Sequence, residues 1–213
     1  MEKAKLSNDT INIKKYIVAI CGASGSIYGI RLIKALLERP FHVMVIISDG
    51  GLRVLEHETI FNGQSSFKDF LTLEGAVFHE SSTLEVFTQH EVCASPASGS
   101  FIHNGMAISP CSMKTVAAVA SGMADNLITR SADVCLKEKR PLILLPRETP
   151  FNLIHLENMT RLCRAGATIM PPSPSFYTFP STVEQLCDTV VARVLDHLGV
   201  ENNLVQRWNW QEQ

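Results

Sequence analysis

Apolar positions along this chain fall into short continuous runs and longer periodic stretches, and the two alternate. The runs at 15–20, 42–47, 105–109, 141–145 and 167–170 are nearly uninterrupted by polar residues, the pattern of strands covered on both faces. Between them, 27–38, 49–57, 112–121, 131–138, 151–165 and 182–198 carry helical spacing. Such alternation predicts βαβ units and a mostly parallel sheet flanked by helices. The expected fold class is α/β, a Rossmann-like or flavodoxin-like three-layer α/β/α sandwich. Segment 60–103 is less regular; a short helix near 67–71, a strand near 84–88 and a long loop are expected there. The four prolines of "MPPSPSFYTFP" (170–180) exclude helix and central strand.

Phase within the helical stretches sharpens this. At about 100° per residue, Ile27, Ile30, Ile33, Leu36 and Leu37 share one face. Gly29 falls at nearly the same angle as Leu36, so it lets that helix lie close to the sheet. In 151–165 a stripe runs through Leu153, Leu156, Met159 and Cys163. In 182–198 the apolar arc is Val183, Leu186, Val190, Val194 and Leu198, with Arg193 at its edge.

At 213 residues and 46% hydrophobic, the chain suits one α/β domain over 15–200. A loose polar leader is expected at 1–14, and a tail at 201–213 packed in an oligomer. The net charge of −2 gives no general attraction to nucleic acid or anionic lipid. No apolar run approaches the ~20 residues of a membrane span, and no signal-peptide pattern is present. A cytoplasmic location, without membrane or nucleic-acid partners, is therefore expected. Six cysteines lack any C-x-x-C pair, which favours buried reduced thiols over disulfides or metal ligands. No H-E-x-x-H occurs, and no structural metal is expected.

Candidate chemistry lies at the strand-to-helix handovers. "CGASGSIYG" (21–29) reads G-x-x-G-x-x-x-G, neither a dinucleotide fingerprint nor a P-loop. That leaves a Ser-capped helix after a tight turn, or a mononucleotide site. In "SPCSMKT" (109–115), Ser112 is a plausible cap, and the turn from Ser112 to Thr115 offers N–H and hydroxyl groups. Ser48 ends a strand at the same sheet edge. Together these turns favour a ligand bound across a switch point.

The charged positions admit two readings each. Arg130 and Lys137, seven apart, share a helix face that is either solvated or ligand-binding. Arg147 and Glu148 in "LLPRETPF" are either surface polarity at a strand end or a ligand clamp with an acid/base partner. Arg193 either snorkels over the core boundary or holds an anion or partner subunit. Tyr177 is either an exposed loop aromatic or an aromatic wall with a hydroxyl donor.

The blocks "CGASGSIYGIRL", "PASGS", "PCSMKT", "DVCLKEKRPLILLPRETPFNLIHLENM", "MPPSPSFY" and "VARVLDHLG" resemble, in that order, the UbiX flavin prenyltransferases. The resemblance implies a transferase that joins the dimethylallyl group of dimethylallyl phosphate to N5 and C6 of reduced FMN. The product would serve a partner UbiD-type decarboxylase. It assigns FMN binding to Gly22, Ala23, Ser24, Ser48, Ser112, Met113, Lys114, Thr115 and Arg147. Dimethylallyl phosphate falls to Arg130, Lys137, Tyr177 and Arg193, and catalytic roles to Ser24, Glu58, Lys137 and Glu148. Preorganised cations would stabilise the departing phosphate, and Glu148 would serve as the base for ring closure. The chain has no Asp-Asp pair, so no metal is expected. The "PASGS" segment differs from the "PASANT" of the related flavin cysteine decarboxylases.

The resemblance further implies a large homo-oligomer, typically a dodecamer, with active sites near subunit junctions. Trp208 and Trp210 would be odd on a monomer surface. The competing readings are a flavin-dependent aromatic-acid decarboxylase and a non-catalytic FMN-binding or delivery protein.

Overall fold

The two-residue alternation inside each strand divides the apolar side chains between two faces of one sheet. The computed structural model describes residues 13–207. Its strands are β1 (Lys15–Ile20), β2 (His42–Ile47), β3 (Thr83–Thr88), β4 (Met106–Cys111), β5 (Leu142–Pro146) and β6 (Thr168–Ile169). They pair in parallel in the order β3-β2-β1-β4-β5-β6. The helices are α1 (Ser26–Leu37), α2 (Asp49–Glu58), α3 (Phe67–Leu73), α4 (Met113–Ala120), α5 (Leu127–Lys137), α6 (Leu153–Ala165) and α7 (Val183–His197). Tyr16, Val18 and Ile20 of β1 and Val43, Val45 and Ile47 of β2 pack with α1, α3 and α7. The intervening Ile17, Ala19, Met44 and Ile46 pack with α4, α5 and α6. Burial on both sides explains why these strands read as unbroken apolar runs.

This is the Rossmann strand order, on three α/β/α layers. Connections run outward in opposite directions from β1 and β4, so the loops after these neighbours diverge and leave a crevice at the sheet's carboxyl edge. Gly29 shows how tightly α1 lies on the sheet. A Cβ there would sit 2.2 Å from the Ser109 carbonyl oxygen and 3.2 Å from Ile20 Cγ1. Between α2 and β3, Phe61, Phe67 and Phe70 form an aromatic cluster with centroids 5.2 to 5.8 Å apart. That cluster anchors the segment where periodicity was weakest.

Several expectations are corrected. α5 begins at Leu127, four residues before the expected 131, because Asn126 caps it. The Asn126 Oδ1 accepts from the N–H groups of Ile128 (3.0 Å) and Thr129 (3.1 Å), while Thr129 Oγ1 accepts from the Asn126 N–H (3.3 Å). β4 runs on to Cys111 through a bulge between Ile108 and Cys111. The long loop contains a 3₁₀ turn at Ser95–Ala97. The α6 stripe is only partly internal: Met159 is buried, with Leu162 beside it, but Leu153 is 68% and Leu156 48% exposed, and Cys163 is exposed. α6 packs on α4 and on β6, which is two residues long, so its first turns have no sheet beneath them.

Four cysteines (21, 111, 135 and 187) are buried and all six are free thiols. Among the described residues no helix is long and apolar enough to cross a membrane. Trp208 and Trp210, and all but two residues of the polar leader, lie outside the described residues.

Replacing Gly29 with Ala is expected to destabilise the protein by about 1–3 kcal/mol through overpacking against the β4 backbone. A lowered urea midpoint with unchanged slope would register it; an unchanged midpoint would show that α1 has room.

Candidate active site

Helix amino ends carry unpaired N–H donors and partial positive charge, and a parallel sheet delivers several of them to one edge. Ser48 caps α2, its Oγ accepting from the Gly51 N–H at 2.9 Å. Ser112 caps α4, its Oγ accepting from the Thr115 N–H at 3.3 Å and lying 3.0 Å from Thr115 Oγ1. Asn126 caps α5. All three caps line one cavity of about 400 Å³, together with Gly22, Gly50, Lys114 and Thr115. Arg53, Gln89, Asp49 and Ile128 complete the wall. The Asp49 carboxylate accepts from Gln89 Nε2 at 2.8 Å and lies 2.9 Å from His90 Nε2. Lys114 and Arg53 supply positive side chains.

The cavity floor is a close approach of two backbones. A Cβ on Gly22 would stand 3.0 Å from the Cα of Gly50, so a side chain at either position would push the β1 turn off the start of α2. A glycine-lined wall backed by capped helix ends fits the phosphate and ribityl portion of a mononucleotide. Gly22, Ser48, Ser112, Lys114 and Thr115 are thus brought together; Ala23 lies buried behind the turn and Met113 is half-buried at the start of α4.

The α1 turn itself departs from expectation. Its cap position, Gly25, has φ +103° and offers no side-chain acceptor. The acceptor comes from Glu58, the last residue of α2. Its carboxylate takes N–H bonds from Gly25 (3.0 Å) and Ser26 (2.9 Å) and a hydroxyl bond from Ser26 (2.7 Å). Burial raises the Glu58 pKa, but hydrogen bonds from the Ser24 and Ser26 hydroxyls and the two amides outweigh it, leaving the pKa below the ordinary range. The anion met by this turn is therefore internal. Spacing alone does not reveal this, because Glu58 is more than 30 residues from its partners. Ser24 and Glu58 open on a second, larger cleft of about 690 Å³ between α1 and the end of α2.

Arg147, just after β5, donates from Nε to the Ser24 carbonyl at 3.1 Å, crossing β4 to reach the β1 turn. Glu148 is exposed and its Oε1 accepts from the Thr149 N–H at 3.0 Å.

The remaining cations lie elsewhere. Arg130 and Lys137 sit on α5, where Arg130 donates to the Ala97 carbonyl (3.0 Å) and to Asp133 (2.7 Å), and Lys137 pairs with Glu138. Arg140, unnoticed in the sequence, donates to the carbonyls of Gly99 (2.7 Å) and Phe101 (2.8 Å). The "PASGS" segment is thereby tied along α5, so this helix face is not merely solvated. Tyr177 and Arg193 line a third cavity, of about 330 Å³, beside α7. It shares no lining residue with the cavity of the three caps.

A model of the Flavoprotein family matches residues 4–200. The flavin prenyltransferase UbiX of Pseudomonas aeruginosa is 44% identical over 202 residues, covering 93% of this chain and 95% of that one. The chain belongs to the UbiX flavin prenyltransferase family. Among solved UbiX structures, AnUbiX (PadA1) in complex with FMN and dimethylallyl pyrophosphate superposes with a TM-score of 0.81 at 38% identity, covering 92% of this chain and 98% of that one. A dodecameric FMN-dependent UbiX-like decarboxylase from Escherichia coli O157:H7 gives 0.79 at 41% identity, with 92% and 99% covered.

In this UbiX-family chain, replacing Glu58 with Ala removes the α1 cap, with an expected loss of about 0.5–2 kcal/mol. Because the folded pKa of Glu58 is depressed, its contribution is full above the unfolded value, about 4.3, and is lost as pH falls through the folded one. Urea midpoints followed from pH 7 downward should therefore show a shallower acid decline in Glu58→Gln than in wild type; parallel declines would remove Glu58 from acid stability.

Proposed function

We propose that this protein transfers a dimethylallyl group from dimethylallyl phosphate to reduced FMN, yielding prenylated FMN for a UbiD-type decarboxylase. The observation that carries the reading is the cavity on which the caps of α2, α4 and α5 converge beside Lys114. Membership of the flavin prenyltransferase family supports it.

Ser48, Ser112, Thr115 and Lys114 hold the flavin phosphate, while Gly22, Ala23, Ser24, Met113 and Arg147 bracket the rest of the molecule. Reduced FMN, when bound, supplies the nucleophilic ring atoms N5 and C6. Cleavage of the allylic C–O bond sends its electron pair to phosphate oxygen, and Arg130, Lys137, Arg193 and Tyr177 stabilise that developing charge. Bond formation at N5 releases the N5 proton to the departing phosphate; closure at C6 then consumes the alkene of the transferred group, one proton being added to that alkene and one leaving C6, and Glu148 carries this exchange. Ser24 and Glu58, joined by a hydrogen bond, hold a proton path at the β1 turn. The lysine and arginine charges replace a divalent metal, so chelator leaves turnover unchanged.

The donor set is divided in the single chain: Arg130 and Lys137 lie on α5, and Tyr177 and Arg193 beside α7. A homo-oligomer, with the dodecamer of the Escherichia coli relative as its precedent, joins them at subunit junctions. Phe151, Leu153, Ile154 and Leu156 at the start of α6, with Phe176 and Phe179 in the 170–180 loop, are exposed apolar side chains suited to burial there.

Anaerobic incubation with reduced FMN and dimethylallyl phosphate, followed by mass spectrometry, should show the flavin heavier by one dimethylallyl unit. An unchanged flavin, with FMN bound and the assembly intact, would overturn the reading. Decarboxylation of an aromatic acid without a partner would favour a lyase instead. Glu148→Gln should retain FMN and slow turnover by roughly 10²–10⁴-fold; unaltered turnover would remove it from the mechanism.

A further inference from the structure

Asp196, in the last turn of α7, is saturated with donors. Its Oδ1 accepts from Arg207 Nη2 (2.7 Å) and Asn202 Nδ2 (3.1 Å), and its Oδ2 from Arg193 Nη1 (2.8 Å) and Arg207 Nη1 (3.1 Å). A carboxylate offers about four lone-pair sites, whereas two guanidinium groups bring about ten N–H donors. The three side chains therefore carry one net positive charge and more donors than Asp196 can accept. That surplus faces the cavity of about 330 Å³ also lined by Tyr177 and Thr189. The Asp196 side chain is 20% exposed, while those of Arg193 and Arg207 are 61% and 65% exposed. The carboxylate lies beneath and the two guanidinium groups reach outward, an arrangement that admits a compact oxyanion.

We propose that Arg207 is a second guanidinium of the donor-phosphate subsite, held beside Arg193 by their shared Asp196, and that it strengthens binding of the allylic phosphate. This rests on the transferase reading for the identity of the ligand, though not for the presence of an oxyanion site. Arg193 alone, paired with Asp196 three residues on, would be an ordinary helix-surface ion pair whose positive charge its partner cancels. Arg207 restores the net charge. The competing role for Arg207 is a clamp fastening residues 200–207 to α7 through its two-point grip on Asp196.

Lysine separates these roles, since it keeps the charge at the cavity but cannot bridge both carboxylate oxygens in a fixed fork. Inorganic phosphate titrated calorimetrically onto FMN-loaded wild type, Arg207→Ala, Arg207→Gln and Arg207→Lys reads the site without turnover. The expected result is binding by wild type, weakening of at least about tenfold in Ala and Gln (~1.4 kcal/mol), and retention within about threefold in Lys. The donor KM should follow the same order, with FMN affinity unchanged. If the Ala variant does not fold, the Gln–Lys contrast decides. No phosphate binding by loaded wild type, equal binding by all four, or equal loss in Lys and Gln would each overturn the proposal. Phosphate binding in this order without flavin alkylation by wild type would instead count against the transferase reading alone.

Discussion

Backbone N–H donors at helix amino ends must find acceptors, and a parallel sheet gathers those ends along one edge. In this protein that requirement is met in two ways. At α1 the acceptor is internal: Glu58 reaches from the end of α2 and holds the Gly25 and Ser26 amides. At α2 and α4 each end is closed by its own short cap, Ser48 or Ser112, whereas at α5 the Asn126 cap is joined by the Gln89 carbonyl, which accepts from the Leu127 N–H at 2.8 Å; the three caps share a cavity. The same electrostatic tendency thus stabilises α1 and α5 from within and leaves the ends of α2 and α4 facing a common space suited to an anionic ligand.

Geometry follows from that division. The strand order places β1 and β4 side by side with diverging loops, and the contact of Gly22 with Gly50 brings the β1 turn against α2. Gly29 lets α1 settle on the β4 backbone, which fixes the turn that carries Ser24. Arg147 then ties that turn to the end of β5. Residues from four strand ends are held in register by backbone contacts, with few long side chains needed to align them.

Much of this was legible in the sequence. Unbroken apolar runs announced strands buried on both faces, and the phase of Gly29 announced a close helix–sheet contact. Serines at 48 and 112 marked handovers at one edge. What stayed hidden depends on contacts between distant residues. Glu58 sits in an unremarkable "EHET" and gains its meaning only when α2 ends beside Gly25. Asn126 was passed over although the apolar Leu127 and Ile128 follow it directly, because the polar Thr129, Arg130 and Ser131 interrupt the run before Val134 and Leu136. The stripe of α6 did not show which of its turns face outward, because periodicity reports amphipathicity, not whether a sheet lies beneath. Arg207 carries no periodic signal; its relation to Arg193 exists only through Asp196.

The central claim is that the converging ends of α2, α4 and α5 form the flavin phosphate site. Riboflavin has the ring and ribityl chain of FMN without the phosphate, so the two affinities isolate that contribution. Titrated onto the flavin-free protein, FMN is expected to bind at least about 100-fold more tightly than riboflavin, as two charge-assisted hydrogen bonds would provide. Lys114→Ala combined with Ser112→Ala should remove most of that difference while leaving riboflavin binding unchanged. Equal affinities for the two flavins in the wild-type protein would contradict the claim.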